Sequence, residues 1–311
     1  MRAPTRTPFR GLPARRRNWR GPTRARAGWM LGLVSLALLP SLSQPAPGVA
    51  TERIVAVDGA VTEIIYALGA QAVLVGVDTT STHPAAAQSL PSVGYRRTLT
   101  AEGVLSLRPQ TLIATAEAGP PKTLAYLRQA GVDVHLLPAL HKPEDLIQRV
   151  NQVARLVRAE SSASELERQL RHALAQVEAR RQGMTPRRVL FLLAAGTRGV
   201  MVAGKDTQAQ QLLDWLGLEN VAASTPGYKP LNREAALMLK PDAIVVAETE
   251  PGAFKEADWS GLTGSLASAS GRMLKADSMY LLGSGPRLPQ AMNHILDLVT
   301  AGPGSRIEAH D

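Results

Sequence analysis

Tyr95 carries the strongest chemical signal in the chain. It stands in Val93-Gly94-Tyr95-Arg96-Arg97-Thr98-Leu99, behind a glycine and beside two arginines. Nearby positive charge favours the ionised form of a phenol. A phenolate is a hard oxygen ligand suited to ferric iron, and tyrosine is one of the proximal ligands that hold haem iron. The competing reading is a surface loop whose tyrosine packs at the edge of a lobe. Which of the two holds depends on what surrounds the loop.

Other chemistries find less support. The chain has no cysteine, which removes disulfides, zinc-thiolate sites, iron–sulfur clusters and cysteine nucleophiles together. The six histidines are His83, His135, His141, His172, His294 and His310. No pair has metal-ligand spacing on one element, which argues against a zinc or manganese site. His83, upstream of Tyr95, is the one histidine kept as a candidate for a cleft. Gly199-Val200-Met201-Val202-Ala203-Gly204-Lys205-Asp206 approaches a phosphate loop. Its last position is an acid where magnesium needs a hydroxyl, and its interior is not glycine-rich. Asp206 is better explained as a helix N-cap. Gly283-Ser284-Gly285 does not fit a nucleophile elbow.

The elements that position these residues alternate. Arg53 to Val57 reads as a strand, and Val61 to Leu68 as a helix stopped by Gly69. Ala72 to Val77 is the next strand, and Asp78 to Pro91 a polar loop leading to Gly94-Tyr95. A short helix around Glu102 precedes a strand at Thr111 to Ala114. A helix at Thr123 to Gln129 and a strand at Val132 to Leu137 follow. Such alternation at short spacing is the pattern of an α/β lobe with a mainly parallel sheet.

Pro143 to Gly183 breaks the pattern with helix alone. Ser162-Ala163-Ser164-Glu165 has capping-box spacing. Leu166, Leu170, Leu174 and Val177 then lie on one face of a helix running to Gln182, roughly 30 Å long. Between two lobes such a helix is a stiff strut; within a single domain it is an ordinary covering helix. A second α/β segment opens with the strand Arg188 to Leu193, followed by a helix from Thr207 to Leu216 ended by Gly217. Trp259 to Ala269 reads as helix and loop, and the last helix runs from about Gln290 to Thr300.

The second segment repeats part of the first. Gly94-Tyr95 matches Gly227-Tyr228, and after one residue of gap Leu99 matches Leu231 and Glu102 matches Glu234. Leu105, Leu107 and Pro109 match Leu237, Leu239 and Pro241. Two related lobes enclose a cleft, and clefts between lobes are preferred ligand sites. Both Gly-Tyr loops are expected to face it. The expected organisation is a leader at 1–50, an N-terminal α/β lobe at 51–141, connecting helices with a backbone helix at 142–183, and a C-terminal α/β lobe at 184–311.

The leader has nine arginines between Arg2 and Arg26, no acid, and the apolar run Gly28 to Leu39 before a small, proline-rich stretch to Ala50. That order is a secretory signal, too short in its apolar part for the roughly 20 residues of a membrane span. The chain has 35 Lys+Arg and 26 Asp+Glu. Without the nine leader arginines the balance is 26 against 26, so the basic pI is no argument for nucleic-acid binding. The mature chain is expected to be soluble beyond the inner membrane and, lacking cysteine, not a lipoprotein.

On these motifs the chain resembles the periplasmic haem-binding proteins of bacterial haem-uptake ABC transporters. It is similar more broadly to the helical-backbone solute-binding class that includes vitamin B12 and siderophore binders. Leu-x-x-Glu-x-x-x-x-Leu-x-Pro at Leu99 to Pro109 and at Leu231 to Pro241 carries the broad likeness. Gly94-Tyr95-Arg96-Arg97 carries the haem branch, with support from Ala203-Gly204-Lys205-Asp206-Thr207 and Gly285-Pro286-Arg287. The resemblance implies two Rossmann-like lobes joined by a backbone helix, with haem as the carried ligand. It implies no enzyme activity. Tyr95 would be the axial ligand to ferric haem, and Arg97 would support its phenolate, with Arg96 adding positive charge. Some members have a further histidine ligand where this chain has Ala194-Ala195-Gly196-Thr197-Arg198. Tyr228 could take part from the opposite side, while Arg198 or, more weakly, Lys229 could meet a propionate. Glu102 and Glu234 would dock on an inner-membrane ABC permease with its ATPase, fed indirectly by an outer-membrane haem receptor. The runner-up is a ferric-siderophore or corrinoid binder; a periplasmic α/β enzyme is the distant alternative.

Overall fold

The computed structural model describes residues 52–196, 199–255, 272–302 and 305–309. The leader, Arg198 and the segment expected at Trp259 to Ala269 lie outside them. The described residues belong to one compact unit built from two sheets.

The first lobe begins with β1 (Ile54–Val57) and α1 (Gly59–Ala67). β2 (Leu74–Val77), α2 (Ala101–Leu105) and β3 (Thr111–Thr115) follow. α3 (Pro121–Gln129) and β4 (Asp133–Leu137) complete it. The strands are all parallel, in the order β2-β1-β3-β4. β1 shows why this sheet is buried on both faces. Ile54 and Ala56 point into the central core, while Val55 and Val57 join a separate outer cluster with Leu112, Ala114 and Leu124. Crossover helices covering both faces give parallel strands such uninterrupted apolar runs.

Two helices then cross to the second lobe. α4 (Asp145–Leu156) buries Leu146, Val150 and Val153, and α5 (Glu160–Arg181) buries Ala163, Leu170, Leu174 and Val177. At 22 residues α5 is about 33 Å long. Its start differs from the expected one. The helix is already running at Glu160, with no side-chain cap at Ala159, so Ser162 sits inside the first turns and the capping box is not used. The apolar stripe is as expected, because burial depends on periodicity and not on where the helix starts.

The second lobe holds β5 (Arg188–Ala194), β6 (Val200–Ala203), α6 (Gln208–Trp215), β7 (Glu219–Asn220) and β8 (Tyr228–Pro230). α7 (Arg233–Met238), β9 (Ala243–Glu248) and β10 (Met273–Asp277) come next. α8 (Ser278–Leu282), α9 (Leu288–Thr300) and β11 (Arg306–Ala309) close the chain. The sheet runs β11-β10-β9-β5-β6-β8, with β7 also on β5. Its β11-β10-β9-β5 part is parallel, but β6 and β8 are antiparallel additions. α5 packs on α4 and on α9, and Arg180 ties it to α9 through Asp297 at 2.6 Å and Asn293 at 2.8 Å. One apolar cluster runs from Ile54 and Ile64 through Val150, Leu170 and Leu174 to Phe191 and Ile295. The backbone helix is therefore a shared core element of both lobes, more than a cover over one.

Candidate ligand-binding cleft

Both sheets turn the carboxyl ends of their strands towards the inter-lobe region, where open α/β sheets hold ligands. The loop after β2 is one wall. Its return is stitched to the end of that strand: Val77 N–H donates to Pro91 O (3.0 Å), Val93 N–H to Val77 O (2.9 Å) and Thr79 N–H to Gly94 O (3.0 Å). Gly94 then turns the chain at φ 89, where a side chain would be strained. A short 3₁₀ turn, Arg96–Thr98, is pinned to the loop after β3, with Gly119 N–H donating to Arg96 O and Leu99 N–H to Gly119 O, both at 2.9 Å. Leu99 is buried. Tyr95 is thereby held at both backbone ends while its side chain remains 43% exposed.

The two arginines beside it part company. Arg97 is exposed and pairs with Glu117. Arg96, expected as a pocket residue, turns inward and is 8% exposed. It pairs with Asp58, itself 2% exposed, and with Glu117 at 3.1 Å. Burial opposes its charge, but Asp58 and Glu117 outweigh that and hold the guanidinium pKa above its ordinary value. Arg96 thus supports the loop from behind. The carboxylates of Asp58 and Glu117 behind the turn draw this guanidinium inward, and Arg97 is left on the outer side.

Asp58 is the hub of that support. It follows β1, at φ 103, and its carboxylate accepts from Ala60 N–H (3.0 Å), Thr115 Oγ1 (2.8 Å) and Arg96. Asp78, after β2, accepts from Asp58 N–H at 2.8 Å and from Ser81 Oγ at 3.0 Å. Burial raises the Asp78 pKa, and the Asp58 charge adds to this against the hydrogen bonds from Thr80 and Asp58. Neither aspartate stood out in the sequence. Their signal is positional: each directly follows a parallel strand.

Glu117, after β3, also escaped notice, and it connects the lobes. Its carboxylate takes Arg96 and Arg97 from one lobe and Gln208 Nε2 of α6 from the other, the last at 3.1 Å. Gln211 Nε2 donates to Leu140 O (2.9 Å) and Trp215 Nε1 to His141 O (3.1 Å) along the same face. Arg287, flagged in Gly285-Pro286-Arg287, reaches Glu63 of α1 at 2.7 Å and lies over the Tyr280 ring. A polar cavity of about 60 Å³ bordered by Asp58, Glu117, Arg149, Gln208 and Ser284 remains at this seam. A larger opening of about 510 Å³ separates Thr82 and Gln88, on the loop that carries Tyr95, from Glu248 to Gly252 of the second lobe. His83 lies on that loop.

Tyr228 is not in a loop equivalent to that of Tyr95. It opens β8 and pairs with Ala203, so it is fixed by a sheet edge. Its phenol is pushed up to about 12, mainly by burial, although Arg97 and Arg96 pull the other way. It is therefore a neutral hydroxyl that senses the Tyr95 loop across the cleft. An acid whose folded pKa exceeds its unfolded one contributes stability that is lost as pH rises through the folded value. Stability is accordingly expected to fall as pH rises from 10 towards 12, and Tyr228→Phe to flatten that fall, in urea melts taken across the range. Lys229, the next residue along β8, leaves on the opposite face because strand side chains alternate, and it is exposed. Glu102 and Glu234 are exposed in the first turns of α2 and α7. Asp206 does not cap α6: it sits at φ 62, and the Thr207 hydroxyl accepts from Gln210 N–H instead. A Cβ on Gly204 would lie 1.8 Å from Thr225 O, so this glycine serves a backbone crossing and not a phosphate.

A two-lobed α/β fold with a seam between the lobes is the architecture of solute-binding proteins among others, and the chain belongs to the periplasmic binding protein family, whose model matches residues 54–263. Among solved structures it is similar to the periplasmic heme-binding protein RhuT from Roseiflexus sp. RS-1, at 33% identity and TM-score 0.71, covering 80% of this chain and 98% of that one. It is also similar to a periplasmic heme-binding protein from Pseudomonas aeruginosa, at 35% identity and TM-score 0.68, covering 82% and 95%. A vitamin B12-binding protein of Pectobacterium carotovorum is 23% identical over 280 residues, 89% of this chain and 96% of its own length. Among the described residues no helix is long and apolar enough to cross a membrane.

Proposed function

We propose that this chain captures ferric haem in the periplasm and delivers it to an inner-membrane ABC permease. The observation that carries the proposal is Tyr95, a half-exposed phenol on a loop pinned at both ends, flanked by a guanidinium on each side of the backbone. The heme-binding names of relatives at 33% and 35% identity support it. In this reading Tyr95 supplies the oxygen ligand to iron. Arg97, steered by Glu117, faces the same loop and stabilises negative charge on that oxygen. Tyr228, neutral and largely buried, offers a hydroxyl from the opposite wall and not a second anion. Arg198 meets a propionate. Glu102 and Glu234, one on each lobe, dock on the permease. The leader directs export and is removed, and the chain has no cysteine to lipidate. Carriage leaves the haem itself chemically unchanged, and in this reading the chain is not an enzyme.

The vitamin B12-binding relative favours a second reading, a corrinoid in the same cleft. Parallel absorption titrations of the leader-free protein with hemin, cobalamin and a ferric siderophore separate the readings. Saturable binding of hemin, with weaker or no binding of the others, is expected. Saturation by cobalamin or the siderophore without hemin binding would replace the haem reading.

A further inference from the structure

The two helices that carry Glu102 and Glu234 are built alike at both ends. α2 has five residues and α7 six, too few to hold a helical conformation by themselves. Their amino ends are capped by matching residues: Thr100 Oγ1 accepts from Gly103 N–H at 3.1 Å, and Asn232 Oδ1 from Ala235 N–H at 2.8 Å. Beyond their carboxyl ends, Arg108 and Lys240 take the left-handed conformation, at φ 47 and 45, each before a proline. That is an uncommon place for residues with side chains, and the coincidence shows the repeat in the backbone itself.

The same turn is closed in each lobe by an arginine from the start of the first strand. Arg53 Nη2 donates to Leu107 O at 2.6 Å and Nε to Arg108 O at 3.1 Å. Arg188 Nη2 donates to Leu239 O at 3.1 Å and Nη1 to Lys240 O at 3.3 Å. Their backbones are matched too. Arg53 N–H donates to Gln110 Oε1 at 3.0 Å, and Arg188 N–H to Asp242 Oδ2 at 2.9 Å. A cation here also suits the negative end of the helix dipole.

We infer that Arg53 and Arg188 are positioning residues of a two-footed acidic docking surface, each locking one short helix so that Glu102 and Glu234 are presented to a partner with two basic patches. The inference rests on the permease-docking reading above. Both guanidinium groups lie at the surface, with the Arg188 side chain 43% exposed. Three of the four bonds to these carbonyls are exposed and the one from Arg188 to Leu239 is part-buried, while Arg188 Nε also reaches Glu219 at 3.3 Å. Such surface bonds add little to global stability, yet they fix local direction. A partner then pays little to order either foot on contact.

The test uses three double variants of the leader-free chain: Arg53→Ala with Arg188→Ala, the corresponding pair of lysines, and Glu102→Ala with Glu234→Ala. Affinity for the cognate permease in nanodiscs, the melting midpoint and amide exchange are read for each. The alanine pair is expected to weaken docking on the order of tenfold and to speed exchange in residues 101–109 and 233–241 alone. The lysine pair, keeping one cationic donor, recovers part of the loss. Wild-type docking by the alanine pair, with docking lost in the glutamate pair, would overturn the clamp and leave the docking surface standing. Wild-type docking by the glutamate pair would remove the docking reading and the clamp with it. Faster exchange throughout the fold would make the arginines general structural residues and overturn the inference.

Discussion

Tyr95→Phe is expected to abolish the tyrosinate signature of the hemin complex and to weaken hemin binding by about tenfold or more, each factor of ten being about 1.4 kcal/mol. The change removes one oxygen and keeps the ring. Its effect on the fold is expected to stay within about 0.5 kcal/mol, because the residue is 43% exposed. The loop is held by backbone hydrogen bonds to Val77, Thr79 and Gly119 and by the buried Leu99. A loss of binding with an unchanged melting midpoint therefore reports the ligand and not the scaffold. Tyr228→Phe is the control. Its phenol is neutral well above physiological pH, so the spectrum is expected to survive its removal. An unchanged spectrum in Tyr95→Phe, lost instead in Tyr228→Phe, would transfer the iron bond to the second lobe.

The sequence is a good guide to this molecule where a signal is local or periodic. Parallel strands buried on both faces announce themselves as β-branched runs, as at Ile54 to Val57. The stripe Leu166, Leu170, Leu174 and Val177 identifies the backbone helix whatever its first residue. The duplicated Glu and Pro spacing finds α2 and α7, and the structure extends it to the left-handed residues Arg108 and Lys240. Tertiary pairing is what stays hidden. Nothing near Arg96 in the chain says that it will face Asp58, whose own sequence neighbours suggest only a turn. Glu117 looks like any loop acid until α6 brings Gln208 to it from the other lobe. β6 and β8 are missed for related reasons: β6 is four residues inside a stretch that approaches a phosphate loop, and β8 is an antiparallel edge strand of three residues defined by its partner, with no periodicity at Tyr228 to declare it. The candidate site was thus half legible. Its exposed tyrosine could be read, and the buried charges that support it could not.

Those buried charges carry the largest expected effect on stability. Asp58→Ala is expected to cost about 3–5 kcal/mol, since it leaves Arg96 buried with one of its two carboxylates gone. The remaining partner, Glu117, is the more exposed and is shared with Arg97. The same substitution removes the cap on α1, worth about another 1 kcal/mol, against a total stability of about 5–15 kcal/mol for a typical protein. Asp58→Asn separates the two losses, because an amide oxygen still accepts from Ala60 N–H while the charge is removed. It is expected to fall between the wild type and alanine in urea melts. The decisive comparison adds Arg96→Met to Asp58→Ala. If the cost comes from a stranded charge, the double variant regains stability relative to Asp58→Ala alone, because no unpaired guanidinium remains in the core. If the double variant is less stable than Asp58→Ala by the full cost of Arg96→Met, the two side chains act independently and the network account fails. The double variant also tests the site. Arg96 carries the carbonyl that accepts from Gly119, so its side chain and the Tyr95 loop are anchored by the same residue. A double variant that regains stability yet binds hemin poorly would show that the buried pair is kept for the placement of Tyr95 and not for the stability of the fold.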